Sequence, residues 1–339
     1  MKQPAKVDVA VLILFFNRPE FLQRVFDEVR QARPSRLFLY QDGPRDEHDL
    51  PGIEACRKIV EEIDWECEVQ RSYHDFNQGC NPSGYLAHRW AFSMAEKCIV
   101  LEDDVVPSQS FFPFCKELLD RYENDDRIWM IAGFNSDETT PTVADDYFFT
   151  SVFSIWGWAS WKRVVDTWDE SYGFLDEPQT MAHLKSLINK RGIYRQFLPM
   201  CYDHRASGKA FFETIFWSSM LLNNALAIMP TRNLVNNIGL TENSAHYTAN
   251  LQTVPKRVKR MFTMESFTLN FPLKHPSYIF EYVDYKDRVY KTLAWGHPWI
   301  KVSRSLEELY LNLWHAQFSQ IVKAAKRRIN LMLGFERHH

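Results

Sequence analysis

The sequence predicts an α/β protein with a mostly parallel sheet covered by helices on both faces. Three observations carry that expectation. Short apolar runs alternate with helical patterns through the first 130 residues. The runs are apolar on both faces, as strands buried between helix layers require. Polar clusters follow these runs, at the carboxyl ends where open parallel sheets collect ligands.

The elements can be justified in order. Val7–Phe16 reads as a buried strand, and its eight-residue apolar stretch is far short of the roughly 20 residues needed to span a bilayer. Pro19 suits the first turn of a helix, and Phe21, Leu22, Val25, Phe26 and Val29 recur at helical spacing. Arg36–Tyr40 is a second strand, closed by the turn-prone Gln41-Asp42-Gly43-Pro44. Ile53, Cys56, Ile59, Val60 and Ile63 mark a helix. Cys67–Arg71 is a third strand, Asn77–Pro82 a loop and Tyr85–Ala95 a helix. Lys97–Leu101 is a fourth strand that runs into Glu102-Asp103-Asp104. Pro107–Tyr122 reads as a helix starting near Ser108 or Ser110, and Ile128–Ala132 as a fifth strand.

Composition bounds the rest. The 339 residues are 45% hydrophobic and 24% charged, which excludes disordered and collagen-like classes. Six scattered cysteines, without a C-x-x-C pair, predict reduced and mostly packed thiols, hence a cytoplasmic setting. Residues 1–250 carry 25 Lys and Arg against 36 Asp and Glu, whereas residues 251–339 carry 15 against 7. An acidic body of residues 1–250 followed by a basic extension, 251–339, is the expected organisation. The balance argues against a nucleic-acid partner, which calls for a broad basic face. Ser305-Leu306-Glu307-Glu308 has the form of a capping box. From Leu306 an amphipathic helix is expected, gaining Lys323, Lys326, Arg327 and Arg328 along its polar face. That helix either packs on the body or holds the chain against an anionic membrane surface.

Two clusters point to chemistry. Three consecutive acids after a strand raise one another's pKa unless a cation or hydrogen-bond donors compensate. A hard divalent ion, Mg²⁺ or Mn²⁺, would do so, often sharing its ligands with a diphosphate. The competing reading is a solvated group of turn acids. Residues 154–161, Ser-Ile-Trp-Gly-Trp-Ala-Ser-Trp, hold three indoles in six positions. Their faces suit stacking on a sugar acceptor, and a hydrophobic core explains them equally well.

Taken together, Val7–Glu20, Gln41-Asp42-Gly43, Leu101–Phe112, the Trp156-Gly157-Trp158 segment, Phe211-Phe212-Glu213, Ile228-Met229-Pro230, Leu234–Gly239 and His246 resemble nucleotide-sugar glycosyltransferases of the GT-A fold. In particular they resemble bacterial relatives of animal N-acetylglucosaminyltransferase I, over roughly residues 7–250. The resemblance implies a metal-dependent, inverting transfer from a UDP-sugar, with UDP-N-acetylglucosamine the expected donor, to a glycan or lipid-linked acceptor. It implies Asp104 as the metal ligand and Glu213 as the general base, a Glu where the family usually has Asp. It further implies donor contacts from Arg18, Asp42, Glu102, Asp103 and His246, and an acceptor side formed by Trp156 and Trp158. Asn81 stands where relatives often carry Lys or Arg, and Arg89 or Arg232 are the candidate substitutes. Two other functions share parts of this pattern. A sugar nucleotidyltransferase should show a Gly-rich basic loop after the first strand, which Asn17-Arg18-Pro19 does not supply. A non-catalytic glycan-binding protein would have no use for the retained acids.

Overall fold

The computed structural model describes residues 2–188, 191–240, 252–322, 325 and 326. The chain forms two compact units. The first comprises Met1–Glu170, Ala210–Ile238 and Met264–Lys286, and the second Ser171–Lys209, Gly239–Thr263 and Asp287–His339.

The first unit begins with β1 (Val7–Phe15), α1 (Pro19–Ala32), β2 (Pro34–Gln41), α2 (Leu50–Val60), β3 (Glu68–Tyr73), α3 (Cys80–Met94) and β4 (Lys97–Glu102). Val9 to Ile13 of β1 are all buried, which explains the unbroken apolar run. Pro19 opens α1, whose Leu22, Val25, Phe26 and Val29 face the sheet, and Arg33 in the left-handed conformation (φ 49°) ends it. Strands pair in parallel in the order β3-β2-β1-β4. Right-handed crossovers then put α1 and α2 on one face and α3 on the other. Register matters most for function. Phe15 lies opposite Gln41, and Leu14 opposite Glu102, so the carboxyl ends of three strands finish level.

The chain continues with β5 (Val105–Pro107), α4 (Phe111–Arg121), β6 (Ile128–Ala132), β7 (Tyr147–Thr150), β8 (Trp158–Trp161), the short α5 (Lys162–Val165), α8 (Phe212–Leu222), β9 (Leu226–Pro230) and β10 (Val235–Asn237). Beyond β4 the sheet runs β8-β6-β9-β7, with β8 antiparallel to both neighbours and β6 parallel to β9. β10 pairs antiparallel with β5 in a separate ribbon. The indole-rich segment is therefore a central strand. Gly157 turns the chain into β8 at φ +63°, where an added Cβ would stand 2.9 Å from Val235 Cγ1. Inside the strand, Ser160 Oγ donates to Trp129 O at 2.6 Å and Trp161 Nε1 to Leu119 O at 3.1 Å, so the buried polar atoms are satisfied.

The second unit contains α6 (Pro178–Leu187), α7 (Arg191–Ser207), α9 (Lys256–Met261) and α11 (Pro298–Trp314), with α10 (Val283–Leu293) running into it from the first. Leu240, Val254 and Val258 form a small core with Phe262 packed against it. The capping-box reading of Ser305–Glu308 does not hold. The helix already begins at Pro298, so Ser305 lies two turns inside it, and it stops at Trp314. Pro at the first position, with φ preset for a helix, outweighs the box. None of the six cysteines forms a disulfide; Cys56, Cys98, Cys115 and Cys201 are buried and Cys80 is exposed.

Candidate functional site

Level strand ends bring Arg18, after β1, against the acids after β4. Arg18 Nη2 donates to Asp103 Oδ1 and, at 2.9 Å, to Asp104 Oδ2. Asp103 Oδ2 also accepts the Phe16 N–H at 3.3 Å. Burial works against the guanidinium charge, but the two carboxylates outweigh it and hold the Arg18 pKa above its ordinary value. The β1–α1 turn is fixed from the other side. Asn17 Nδ2 donates to Asp49 Oδ1 at 2.6 Å, and Asp49 takes three donors from Arg45. Those bonds from Arg45 hold the Asp49 pKa down at about 2.

Asp42, after β2, lies close by but faces its own loop. Its Oδ1 accepts the N–H groups of Gly43 and Gln78 at 2.9 Å, and its Oδ2 accepts Asn77 Nδ2 and the Gly79 N–H at 3.1 Å. Four donors occupy a carboxylate with two oxygens. Its role is thus to shape residues 77–79, from which α3 starts, rather than to offer an oxygen to a ligand directly. Gly43 permits this arrangement, since a Cβ there would stand 2.4 Å from the Phe76 backbone nitrogen.

Glu102 closes the cluster. Burial pushes its pKa well above the carboxylate range, and the charges of Asp104, Glu213 and Asp103 add to that, against the opposing effect of Arg18. Asp103 is pushed up to about 6, mainly by burial, with Arg18 opposing. Asp104 is buried, its Oδ1 accepts from Asn237 Nδ2 at 3.4 Å, and its carbonyl accepts the Ile238 N–H at 2.8 Å. The β5–β10 ribbon thus carries Asn237 to the acids. Glu213 sits in the first turn of α8 and is near enough for its charge to bear on both Glu102 and the Cys80 thiol. The fold therefore gathers Arg18, Glu102, Asp103, Asp104 and Glu213 from three separate segments.

These oxygen donors fit a hard divalent cation, because several carboxylates share one guanidinium in a poorly solvated place. Among the described residues no set of three or more His, Cys, Asp or Glu side chains forms a cage. A cation held through Asp104 would complete its shell from a ligand's oxygens.

The paired tryptophans separate. Trp158, in β8, is 1% exposed and packs among His88, Phe92 and Phe216, with ring centroids 5.2, 6.4 and 5.5 Å away. A ring so enclosed has no face for a sugar, so the acceptor reading fails for Trp158 and the core reading holds. Trp156 is half-buried against Phe134 at 4.7 Å. Arg89 is committed to the end of α5, donating to Val165 O at 3.0 Å, and Arg232 lies over the Phe267 ring. His246 lies outside the described residues. Asn237 was not among the expected site residues, although its place in the Leu234–Gly239 segment could have pointed to it.

No family model matches the chain, and no curated protein matches it. Among solved structures it is similar to the inositol-1-phosphate CTP transferase from T. maritima, with a TM-score of 0.32 and 13% identity over 50% of this chain and 76% of that one. It is similar to a UDP-glucose pyrophosphorylase complexed with UDP-glucose, with a TM-score of 0.28 and 10% identity over 50% and 80% of the two chains. A third likeness is to 4-diphosphocytidyl-2C-methyl-D-erythritol synthase from Anaerococcus prevotii, at a TM-score of 0.29 and 10% identity over 47% and 74%. Likenesses of this size assign no activity by themselves.

Proposed function

We propose that the chain binds a nucleotide sugar at the ends of β1 and β4 and transfers the sugar, with inversion, to a hydroxyl of a glycan or lipid-linked acceptor. The observation that carries this reading is the convergence of Arg18, Asp103 and Asp104 with Glu102 and Glu213 close behind. In the proposed mechanism Asp104 would hold Mg²⁺ or Mn²⁺, and Glu102 and Asp103 would accept hydrogen bonds from the donor's hydroxyls. When bound, that cation neutralises charge on the departing nucleoside diphosphate. Arg18, already charged and fixed by two carboxylates, supplies a second positive centre for the phosphates. Glu213, at the amino end of α8 where a negative charge is favoured, takes the proton from the acceptor hydroxyl as that oxygen attacks the anomeric carbon. One base suffices, because inversion needs no covalent intermediate.

Thermal shift with UDP-, GDP- and dTDP-sugars, with and without Mn²⁺, tests the binding half, since a ligand that prefers the native state raises its melting temperature. Metal-dependent stabilisation by one nucleotide sugar is expected, and no shift with any of them overturns the reading. A second arm supplies nucleoside triphosphate and sugar 1-phosphate, the substrates of the sugar nucleotidyltransferase whose sequence pattern overlaps this one. Release of pyrophosphate there, without glycosyl transfer, would reassign the same site to a nucleotidyltransferase.

A further inference from the structure

Helix α11 turns its apolar side to solvent. At 3.6 residues per turn, Trp299, Val302, Leu306, Tyr310, Leu313 and Trp314 share one arc of roughly 120°. All six are exposed, Trp299 at 82% and Trp314 at 73%. The side that meets the rest of its unit is the more polar one. Asn312 is buried there, and Arg304 Nη1 donates to Leu293 O at 3.5 Å. A helix of a water-soluble domain normally buries its apolar stripe, and an exposed patch of this extent marks an interaction surface.

The flank of the stripe supplies the second observation. Glu307, at its edge, accepts the backbone N–H of Lys256 at 2.9 Å, which ties the start of α9 to the middle of α11. Helix α9 carries Lys256, Arg257, Lys259 and Arg260, all exposed, and no acidic residue. An aromatic-rich apolar stripe thus runs beside a purely basic helix.

We propose that α11 and α9 form a docking surface for an anionic lipid bilayer, with α11 lying in the plane of the interface. Trp and Tyr favour the headgroup level, where an amphipathic ring meets both phases. An amphipathic helix buries its apolar face at the acyl boundary while neighbouring cations meet anionic headgroups. A bilayer satisfies both features at once. A second copy of the same stripe would cover the apolar arc but bring only more of the same basic run. The surface belongs to the second unit alone and requires nothing of the acidic site.

The test is co-sedimentation of the full chain with vesicles of phosphatidylcholine alone and of phosphatidylcholine with about one-third phosphatidylglycerol. Each basic residue near such a surface is worth about fivefold in partitioning, so four predict a preference for anionic vesicles of about 600-fold, declining with salt. Replacing all four (Lys256→Gln, Arg257→Gln, Lys259→Gln, Arg260→Gln) should remove that preference. The triple variant Trp299→Ser, Leu306→Ser, Trp314→Ser should weaken binding to anionic vesicles by at least about tenfold and abolish the blue shift of tryptophan emission. Circular dichroism checks that each variant folds. Should the triple variant not fold, the single change Trp299→Ser still reports through the emission shift. Equal partitioning of the parent into both vesicle types, or an unchanged triple variant, overturns the proposal. So does a concentration-dependent dimer in sedimentation velocity that the triple variant abolishes, which would give the stripe to a second copy.

Discussion

The guanidinium of Arg18 reaches Asp104 Oδ2 at 2.9 Å, across 86 positions of sequence, while the same nitrogen also holds Asp103. An internal cation therefore sits where four carboxylates converge. It makes the acidic cluster tolerable without a ligand and leaves it short of positive charge.

Arg18→Met should consequently be costly. Removing one partner of a buried ion pair typically loses 3–5 kcal/mol, and partial exposure of Arg18 places the expected loss near the lower bound, at about 3 kcal/mol. Urea unfolding measures it. Mn²⁺ should restore part of the loss by replacing the missing charge, and a variant as stable as the parent would show that the pair does not hold the strand ends together.

His88 gives a pH dependence of defined sign. It is fully enclosed by Phe212, Trp158 and Trp168, and burial pushes its pKa down to about 3. A folded-state pKa below the unfolded value means that the unfolded chain takes up the proton first. The contribution is intact above about pH 6.5 and is lost as pH falls from there toward 3, at up to about 1.4 kcal/mol per pH unit. His88→Phe, which keeps an aromatic ring in the same cage, should gain stability relative to the parent over that range. Parallel stability curves for the two proteins would show that the imidazole titrates while folded.

Glu213→Gln tests the base. The amide keeps size and hydrogen bonding but cannot accept the acceptor's proton, so the turnover number should fall by about 10²–10⁴-fold while donor binding is retained. Loss of donor affinity with turnover intact would instead place Glu213 among the binding groups. Removing its charge should also lower the pKa of Glu102.

The two tryptophans should part company in the same assay. Trp158→Ala opens a cavity in the central sheet and is expected to cost about 3–5 kcal/mol. Trp156→Ala, half-buried against Phe134, should cost less and show its main effect in the Michaelis constant for the acceptor. Equal destabilisation by both would make Trp156 a core residue as well.

Much of the first unit was legible in the sequence because its strands and helices are locally consistent. The run Val7–Phe15, Pro19 with its helical apolar spacing, and the acids after Lys97–Leu101 each report their own element. The strand ends where a site should form followed from alternation alone. The position of Trp158–Trp161 did not, because four residues buried on both faces show no period and nothing local reveals that they insert between β4 and β6.

The amino-acid order by itself determined the α/β alternation, the acidic cluster and the charge asymmetry between residues 1–250 and 251–339, since periodicity and residue type are local properties. Only the tertiary structure decided that Arg18 neutralises Asp103 and Asp104, that Asp42 spends its oxygens on residues 77–79, and that α11 carries its apolar stripe outward. Each of these depends on which distant groups the register and packing bring within hydrogen-bond or van der Waals range, and neither spacing nor composition encodes that distance.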